Sequence, residues 1–310
     1  MRVLVTGATG FVGSYVLRRL TADPQATVAI LVRRGSLTRR IDDVRDRVVR
    51  YEADLADPQA VARAAREFKP DAVVHLAWHG VGNKLRNDES QVDNIGHSLA
   101  LLRAGCEAGA KAFVGLGSQA EYGPCEGPID EAQPTRPTTL YGAAKLSTCL
   151  LADQLCRLYG MRFAWLRLFS AYGPGDSPEW MIPSLILSLA KRRRPALTEG
   201  RQLWDYIYVT DAAEAVYQAA RNPEASGVFN LGSGEARTVR HVAERIRDLV
   251  DPSLALGFGE VPYRPDQVMH LQACIDRLRA ATGWQPRVPL DEGLRLTVEW
   301  YLEHARDDDG

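Results

Sequence analysis

A short apolar run at the N-terminus leads at once into a glycine-rich segment, and this order constrains the fold more than any other feature of the sequence. Residues 2–6 have the composition of a buried strand and residues 13–20 have the pattern of a helix. The glycines between them allow the backbone to turn tightly, and the free N–H groups of the helix favour phosphate. The segment therefore predicts a loop that binds the pyrophosphate of a dinucleotide. Its predicted contact residues are Gly7, Thr9, Gly10, Phe11, Val12 and Gly13.

Strand-like and helix-like segments alternate through the first half of the chain. The predicted strands are residues 2–6, 28–32, 48–51, 72–76, 112–116 and 163–168, and the predicted helices are residues 13–20, 58–68, 92–108 and 140–159. The strands are largely apolar without polar alternation, which indicates burial on both faces. This alternation predicts an α/β fold built on a doubly wound parallel sheet of the Rossmann type.

The character of the sequence changes after Tyr172, where a segment rich in glycine and proline begins. Further helices are predicted at 180–191, 211–220, 239–249 and 290–302, with strands at 205–209 and 227–231. We expect a dinucleotide-binding domain over residues 1–173, with a segment at about 205–232 returning to its sheet. Residues 174–204 and 233–310 are expected to form a smaller C-terminal α/β cap that binds the substrate.

The end of the second predicted strand indicates which dinucleotide is bound. An acidic residue there would bind the hydroxyls of the adenosine ribose, whereas this sequence has Arg33 and Arg34. Arginine binds phosphate through planar, charge-assisted hydrogen bonds, so the pair favours NADP(H), with NAD(H) as the alternative. The two arginines could equally be a solvated surface pair. Asp54, followed by Leu55, could approach the adenine amine or could instead cap the next helix.

Tyr141 and Lys145 are separated by one helical turn, so their side chains share a face of the helix predicted at 140–159. A lysine ammonium beside a phenol favours the phenolate, and we expect it to lower the pKa of Tyr141. Ser118 follows another predicted strand, where parallel sheets bind their ligands. Its hydroxyl could polarise a carbonyl group beside Tyr141. The alternatives are a surface Tyr–Lys pair and a serine that only caps a turn.

Taken together, these motifs resemble the extended short-chain dehydrogenase/reductases, the NAD-dependent epimerase/dehydratase family of nucleotide-sugar enzymes. The residues that carry the resemblance are 6–13, 54–55, 75–77, 118–123, 141–145, 166–174, 229–234, 282–286 and the helix at 290–301. The resemblance implies that Ser118, Tyr141 and Lys145 are catalytic, and that Lys145 and Tyr141 also contact the cofactor beside Leu76 and Ala77. It implies that Arg264 binds the nucleotide diphosphate.

The sequence departs from the family pattern at positions that bear on the substrate. Gln119 and Ala120 stand where the dehydratases of the family have an Asp–Glu pair, which argues against water elimination. Ser170 stands in place of a frequent Asn, and Trp204 in place of an Arg that contacts phosphate. Arg201 could substitute for that arginine. The remaining candidates for substrate contacts are His79 and Asn83, which could also be bystanders in a loop, together with Gln119 and Ser118.

The predicted reaction is NADPH-dependent reduction of the 4-keto group of a nucleotide-linked 4-keto-6-deoxyhexose. The motif set is similar to that of reductases that make CDP-abequose or dTDP-linked 6-deoxysugars. A nucleotide-sugar 4-epimerase that uses bound NAD is the alternative within enzymes, although Arg33 and Arg34 fit it less well. A non-catalytic nucleotide-binding protein on the same fold is the alternative of a different class.

Composition excludes other classes of function. The formal net charge of −1 over 310 residues argues against binding to nucleic acid or to a membrane surface, and no long apolar run predicts a membrane span. The five cysteines form no C-x-x-C pair and the six histidines lack metal-ligand spacing, so we expect reduced thiols, no metal and a cytoplasmic protein. By resemblance we expect a homodimer paired through the helices predicted at 92–108 and 140–159. Leu150, Leu151 and Leu155 could lie in that interface or in the core.

Overall fold

The computed structural model of the chain describes residues 1–264 and 267–304. Its strands are β1 (Arg2–Thr6), β2 (Thr27–Val32), β3 (Val49–Glu52), β4 (Ala72–His75), β5 (Ala112–Ser118), β6 (Pro128–Ile129), β7 (Arg162–Leu168), β8 (Ser170–Tyr172), β9 (Ala196–Leu197), β10 (Leu203–Tyr208), β11 (Gly227–Leu231), β12 (Ala236–Thr238), β13 (Gly257–Phe258) and β14 (His270–Ala273). Its α-helices are α1 (Phe11–Thr21), α2 (Pro58–Phe68), α3 (Asp93–Glu107), α4 (Leu140–Tyr159), α5 (Met181–Ala190), α6 (Val209–Arg221), α7 (Val239–Val250), α8 (Asp276–Thr282) and α9 (Leu290–His304).

Seven strands form the central sheet in the order β11-β7-β5-β4-β1-β2-β3, and neighbouring strands are parallel. Apolar side chains of α1 and α6 pack on one face of the sheet, and those of α2, α3 and α4 pack on the other. Both faces are therefore covered, which is why the strands lack polar alternation. The predicted doubly wound parallel sheet is confirmed.

A second, smaller sheet is built from strands that alternate along the chain with the last strands of the first sheet. Its strands run in the order β12-β10-β14-β6, with β8 pairing beside β10. Asp205 in β10 is fully buried, and its carboxylate accepts hydrogen bonds from the backbone N–H groups of Ser233, Gly234 and Ala273. This carboxylate joins β10 to the segments around it. Of the segment at 205–232 that we expected to return to the large sheet, α6 and β11 do so, whereas β10 pairs within the second sheet.

Helices α5, α7 and α9 share a separate apolar core beside the second sheet. Ile186, Val242 and Leu294 are fully buried in this core, against Tyr172 and Tyr208. These tyrosines lie in β8 and β10, which pair with each other in the second sheet. Because β8 follows β7 after one residue, Phe169, the second sheet begins where a central strand of the large sheet ends.

Candidate functional site

A cavity of about 1420 Å³ lies at the carboxyl ends of the central strands and extends to the cap. Most of the predicted site residues line it: Gly7, Thr9, Gly10, Phe11, Val12, Gly13, Arg33, Asp54, Leu55, Leu76, Ala77, His79, Asn83, Ser118, Gln119, Tyr141, Lys145, Ser170 and Arg264. Of the described residues predicted for the site, Arg34 and Arg201 are the two outside this lining. The structure thus brings together the predicted cofactor and catalytic residues in one cavity.

The glycine loop between β1 and α1 has the close contacts that require glycine. Gly7 has φ +73°, and a Cβ atom there would lie 2.5 Å from the backbone nitrogen of Ala77. A Cβ atom on Gly13 would lie 1.9 Å from the carbonyl oxygen of Gly7. Within the described chain, no side chain caps the N-terminus of α1 and its first turn has no acidic residue. The loop therefore presents free N–H groups to an anion, and it fits the pyrophosphate of a dinucleotide.

The far end of the cavity, beyond β2, is rich in arginine. Arg33, Ser36 and Arg40 line the cavity itself. Arg34 lies in an adjoining concavity, which also includes Arg33, Ser36 and Arg63 from α2. Three arginines and a serine hydroxyl thus surround one small depression, although Glu52, Asp54 and Asp57 share it. This composition can hold a phosphate group at the adenosine end of a dinucleotide.

Asp54 is exposed and lines the cavity, where it could meet an adenine amine. A different residue, Asp57, caps the helix that follows. Asp57 is the N-cap of α2, and its carboxylate accepts hydrogen bonds from the backbone N–H groups of Gln59 and Ala60. Among the described residues, the Asp54 side chain accepts only a local hydrogen bond, from the backbone N–H of Ala56 at 2.9 Å. The capping alternative for Asp54 is therefore wrong.

The catalytic candidates converge at the opposite end of the cavity. Ser118 ends β5, and Tyr141 and Lys145 lie in the first two turns of α4, which Thr139 caps through the backbone N–H of Gly142. Ser118, Tyr141 and Lys145 are all buried, with exposed fractions of 6, 5 and 4 %. All three still line the cavity. A substrate carbonyl can therefore be held here out of contact with bulk water.

The electrostatics of the Tyr–Lys pair differ from our expectation. Burial raises the pKa of Tyr141, and the opposing effects come from the Ser118 hydroxyl and then from the Arg86 guanidinium. The ammonium of Lys145 instead donates to the backbone carbonyl of Leu116 at 2.6 Å. Burial lowers the pKa of Lys145 to about 7, so this amine loses much of its charge near neutral pH. The expected lowering of the Tyr141 pKa by Lys145 is not present, because desolvation dominates both groups.

A buried ion pair behind Ser118 was missed by the sequence analysis. Glu121 is fully buried, and its carboxylate accepts hydrogen bonds from Arg167 at 2.7 Å, from the indole of Trp165 at 2.9 Å and from the backbone N–H of Ser118 at 2.9 Å. The charge of Glu121 opposes the lowering of the Lys145 pKa. The motif at 118–123 contained this carboxylate, but its partner Arg167 is distant in sequence.

Trp78 and Arg86, from the segment after β4, also contact the catalytic pair and were not predicted. The Lys145 ammonium lies 3.8 Å from the centre of the Trp78 ring, and Trp78 meets Tyr141 edge to face at 6.2 Å. The Arg86 guanidinium carbon lies 5.0 Å from the centre of the Tyr141 ring. His79 and Asn83, predicted in the same segment, lie on the cavity lining.

Of the candidate substrate residues after β7, Ser170 and Arg264 line the cavity and Arg201 does not. The indole N–H of Trp204 donates to the Ser170 hydroxyl at 2.6 Å. The two residues that depart from the family pattern are therefore in direct contact. Arg201 is largely exposed and pairs with Glu199 at 2.9 Å, and its backbone N–H donates to the Tyr263 hydroxyl. Its neighbours Gly200 and Gln202 line the cavity, whereas Arg201 itself does not. Arg264 lies at the cavity, and the rest of its motif, Pro265 and Asp266, lies outside the described residues.

Comparison with known proteins agrees with this geometry. A sequence profile described as the NAD-dependent epimerase/dehydratase family matches residues 3–232. The chain belongs to this family. It is 30 % identical to dTDP-glucose 4,6-dehydratase 1 of Escherichia coli K12, over 99 % of this chain and 94 % of that protein. The expected family resemblance is confirmed.

Solved structures of family members superpose closely on the chain. The UDP-glucose 4-epimerase of Thermotoga maritima, solved with UDP-glucose, has a TM-score of 0.89 at 26 % identity, covering 98 % of this chain and all of that one. The UDP-glucose 4-epimerase of Thermus thermophilus, solved with NAD, has a TM-score of 0.83 at 28 % identity, covering 97 % of this chain and 99 % of that one. Membership in an NAD-dependent family and the glycine loop of this chain therefore agree on a dinucleotide cofactor.

The described residues contain no group of three or more His, Cys, Asp or Glu side chains arranged to hold a metal ion. Among the helices in those same ranges, none is long and apolar enough to cross a membrane. The five cysteines are free, and burial raises the pKa of both Cys149 and Cys156, so these two thiols are poor nucleophiles.

Proposed function

We propose that this family member reduces the 4-keto group of a nucleotide-linked 4-keto-6-deoxyhexose with NADPH. The observation that carries the proposal is the single cavity that joins two sets of residues. An arginine-rich depression lies at its adenosine end, and Ser118, Tyr141 and Lys145 lie at its other end. Arginine favours a 2′-phosphate, and a phosphorylated cofactor is suited to net reduction.

The cofactor supplies the hydride when it is bound. The residues of this chain bind the carbonyl group and supply the proton. The hydroxyls of Ser118 and Tyr141 hold the carbonyl oxygen, and Tyr141 supplies the proton that this oxygen takes up on reduction. The raised pKa of Tyr141 keeps the phenol protonated at neutral pH, which suits a proton donor. Lys145 lies on the same helix face and lines the same cavity, where it would bind the nicotinamide ribose.

The substrate class follows from the relatives and from what the site lacks. One solved relative binds UDP-glucose, and another relative is named for dTDP-glucose. Elimination of water needs a free acid/base pair beside the sugar. Gln119 and Ala120 carry no carboxylate, and the carboxylate of Glu121 is taken up by Arg167. Reduction of a sugar that is already a 4-keto compound therefore fits the site better than dehydration does. In this proposal Arg264 binds the diphosphate, and His79, Asn83, Gln119 and Ser170 surround the sugar.

A 4-epimerase that uses bound NAD is the second candidate. The observation that favours it is the close superposition on two UDP-glucose 4-epimerases, one of them solved with NAD. The same Ser118, Tyr141 and Lys145 would serve in both directions of hydride transfer. Arg33 and its neighbours argue against it, because an epimerase regenerates its cofactor and gains nothing from a 2′-phosphate.

We also propose that the protein is a homodimer paired through α3 and α4. Leu150, Leu151 and Leu158 on α4 have exposed fractions of 59, 47 and 76 %, and Val92 beside the start of α3 has 57 %. Leu155 is half-buried between them and the core. A row of exposed leucines along one long helix is the kind of surface that a two-fold interface covers.

The experiment begins with the cofactor released when the purified protein is denatured. CDP-, dTDP-, GDP- and UDP-linked 4-keto-6-deoxyhexoses are then offered with NADPH or NADH, and the nicotinamide absorbance is followed. We expect stoichiometric oxidation of NADPH with one of these sugars, and a loss of about 100-fold or more in Tyr141→Phe. Tightly bound NAD with interconversion of two sugars and no net consumption of NADPH would establish the epimerase instead.

A matched pair of variants tests the choice of cofactor. Arg33→Gln should weaken NADPH binding by about 10- to 100-fold, because one charge-assisted contact to the 2′-phosphate is lost. The affinity for NADH should stay the same in this variant. Arg157→Gln, a change of the same kind on the exposed surface of α4, should alter neither affinity. Equal losses for the two cofactors would contradict the proposed role of Arg33.

A further inference from the structure

Arg86 is joined to the first turn of the catalytic helix. Its backbone carbonyl accepts a hydrogen bond from the N–H of Tyr141 at 2.8 Å. Its guanidinium carbon lies 5.0 Å from the centre of the Tyr141 ring, and the side chain lines the cavity. The neighbouring Asn87 accepts a hydrogen bond from the N–H of Leu140 at 3.0 Å. Main chain and side chain thus place a permanent cation against the phenol.

The segment that carries Arg86 is anchored by a buried side chain. Gln91 is fully buried, and its amide nitrogen donates to the carbonyls of Gly80 at 2.8 Å and Leu85 at 2.9 Å. Its amide oxygen accepts from the indole of Trp78 at 2.9 Å. One glutamine thereby fixes both ends of the segment, so the position of Arg86 is built into the fold. A solvated arginine on a free loop would not have such support.

Lys145 does not provide an equivalent charge. Its ammonium is engaged by the Leu116 carbonyl and by the face of Trp78, and its pKa of about 7 leaves it partly neutral in the physiological range. A guanidinium keeps its charge at every pH at which the protein is folded. Of the two basic groups next to Tyr141, Arg86 is therefore the one whose charge is constant.

We propose that Arg86 is a positioning residue for Tyr141, holding the phenol in place and stabilising the negative charge that forms when Tyr141 gives up its proton. This inference takes the acid role of Tyr141 from the proposed function. The other groups that face the phenol are the Ser118 hydroxyl, which also favours the phenolate, and Glu121, which opposes it. Lys145 is one turn away on α4, and His79, Asp93 and His97 line the same cavity.

The test measures the ionisation of residue 141 directly and without substrate. A difluorinated tyrosine analogue, whose phenol is more acidic than that of tyrosine, is incorporated at position 141, and its fluorine resonance is followed from about pH 6 to pH 10. Arg86→Gln should raise the titration midpoint by about one pH unit or more, because the cation that lies over the ring is lost. Arg86→Lys keeps a charge and should restore at least half of that shift. Arg157→Gln is the control and should leave the midpoint unchanged.

Equal midpoints in the parent protein and in Arg86→Gln would overturn the proposal, as would a phenol that stays protonated over the whole range in both. Circular dichroism of each variant shows whether the fold is kept. A second measurement applies once a responsive sugar is known: Arg86→Gln should lower kcat at least tenfold with KM changed less than threefold. If every sugar fails to react, the proposed function fails, while the fluorine titration still decides the role of Arg86.

Discussion

The buried pair of Glu121 and Arg167 predicts a large and specific loss of stability in Glu121→Gln. The carboxylate accepts three hydrogen bonds: one oxygen takes the N–H of Ser118 and the indole of Trp165, and the other takes Arg167. A glutamine amide has the same shape but only one oxygen. Whichever way it is turned, its NH₂ group faces a donor, and the guanidinium is left as an uncompensated buried charge. Breaking such a pair from one side costs about 3–5 kcal/mol of unfolding free energy.

The assay is equilibrium unfolding in urea, followed by circular dichroism and tryptophan fluorescence, for a double-mutant cycle. Arg167→Met should also cost several kcal/mol, since it leaves Glu121 charged and buried. The double variant should cost less than the sum of the two single changes by about 2 kcal/mol, because the amide no longer faces a guanidinium. Asp153→Asn, which breaks the exposed pair of Asp153 and Arg157, is the control and should cost about 1 kcal/mol or less.

Two results would refute this reasoning. The first is a cost for Glu121→Gln no larger than that of Asp153→Asn. The second is strict additivity in the double variant, which would mean that the two side chains do not interact although they lie 2.7 Å apart.

Three other predictions concern the catalytic lysine, the glycine loop and the dimer. Lys145→Met should stabilise the protein most at pH 7 and below. The pKa of Lys145 is lower in the folded state than in the unfolded state, so the destabilising effect of its charge is lost as the pH rises from about 7 toward 10.5. Urea unfolding at several pH values measures this dependence. Gly13→Ala should abolish binding of either dinucleotide in a calorimetric titration, because a Cβ atom would lie 1.9 Å from the Gly7 oxygen. The control Gly160→Ala lies in open space after α4 at φ +66°, so it should cost some stability and still bind normally. Leu150→Glu with Leu151→Glu should convert the proposed dimer to a monomer in analytical ultracentrifugation, and an unchanged mass would place the interface elsewhere.

The central sheet was predictable because burial on both faces leaves an apolar run for each strand. Predicted bounds agree for α2 and α4, where a proline at the start or a glycine at the end marks the limits. The prediction for β5 stopped at residue 116, whereas the strand continues to Ser118. Gly117 and Ser118 add no apolar side chains, but they stay in register with Arg167 and Leu168. Backbone pairing with β7 extends β5 by these two residues, and a hydrophobic pattern does not show such pairing.

The short strands of the cap could not be predicted on the same basis. β6, β8 and β14 have two to four residues each, too few for a pattern, and they exist because they pair with one another or with β10. The role of Asp205 is similar. Its carboxylate joins β10 to two other segments, through the backbone N–H groups of Ser233, Gly234 and Ala273, and a lone Asp before a tyrosine does not indicate this. Such elements depend on contacts between distant parts of the chain.

For the catalytic candidates, residue spacing predicts position but not electrostatic environment. The four-residue interval between Tyr141 and Lys145 correctly indicated that both side chains would line one cavity, but it did not indicate which charges would act on the phenol. That depends on Glu121, Trp78 and Arg86, which reach the pair from the end of β5 and from the segment after β4. Glu121 supports the charge of Lys145, while Trp78 and the Leu116 carbonyl hold its ammonium. The proton-transfer site is thus set by residues outside the helix that carries Tyr141 and Lys145. A variant of Arg86 should shift the ionisation of Tyr141 without changing that of Lys145, whereas a variant of Glu121 should shift both.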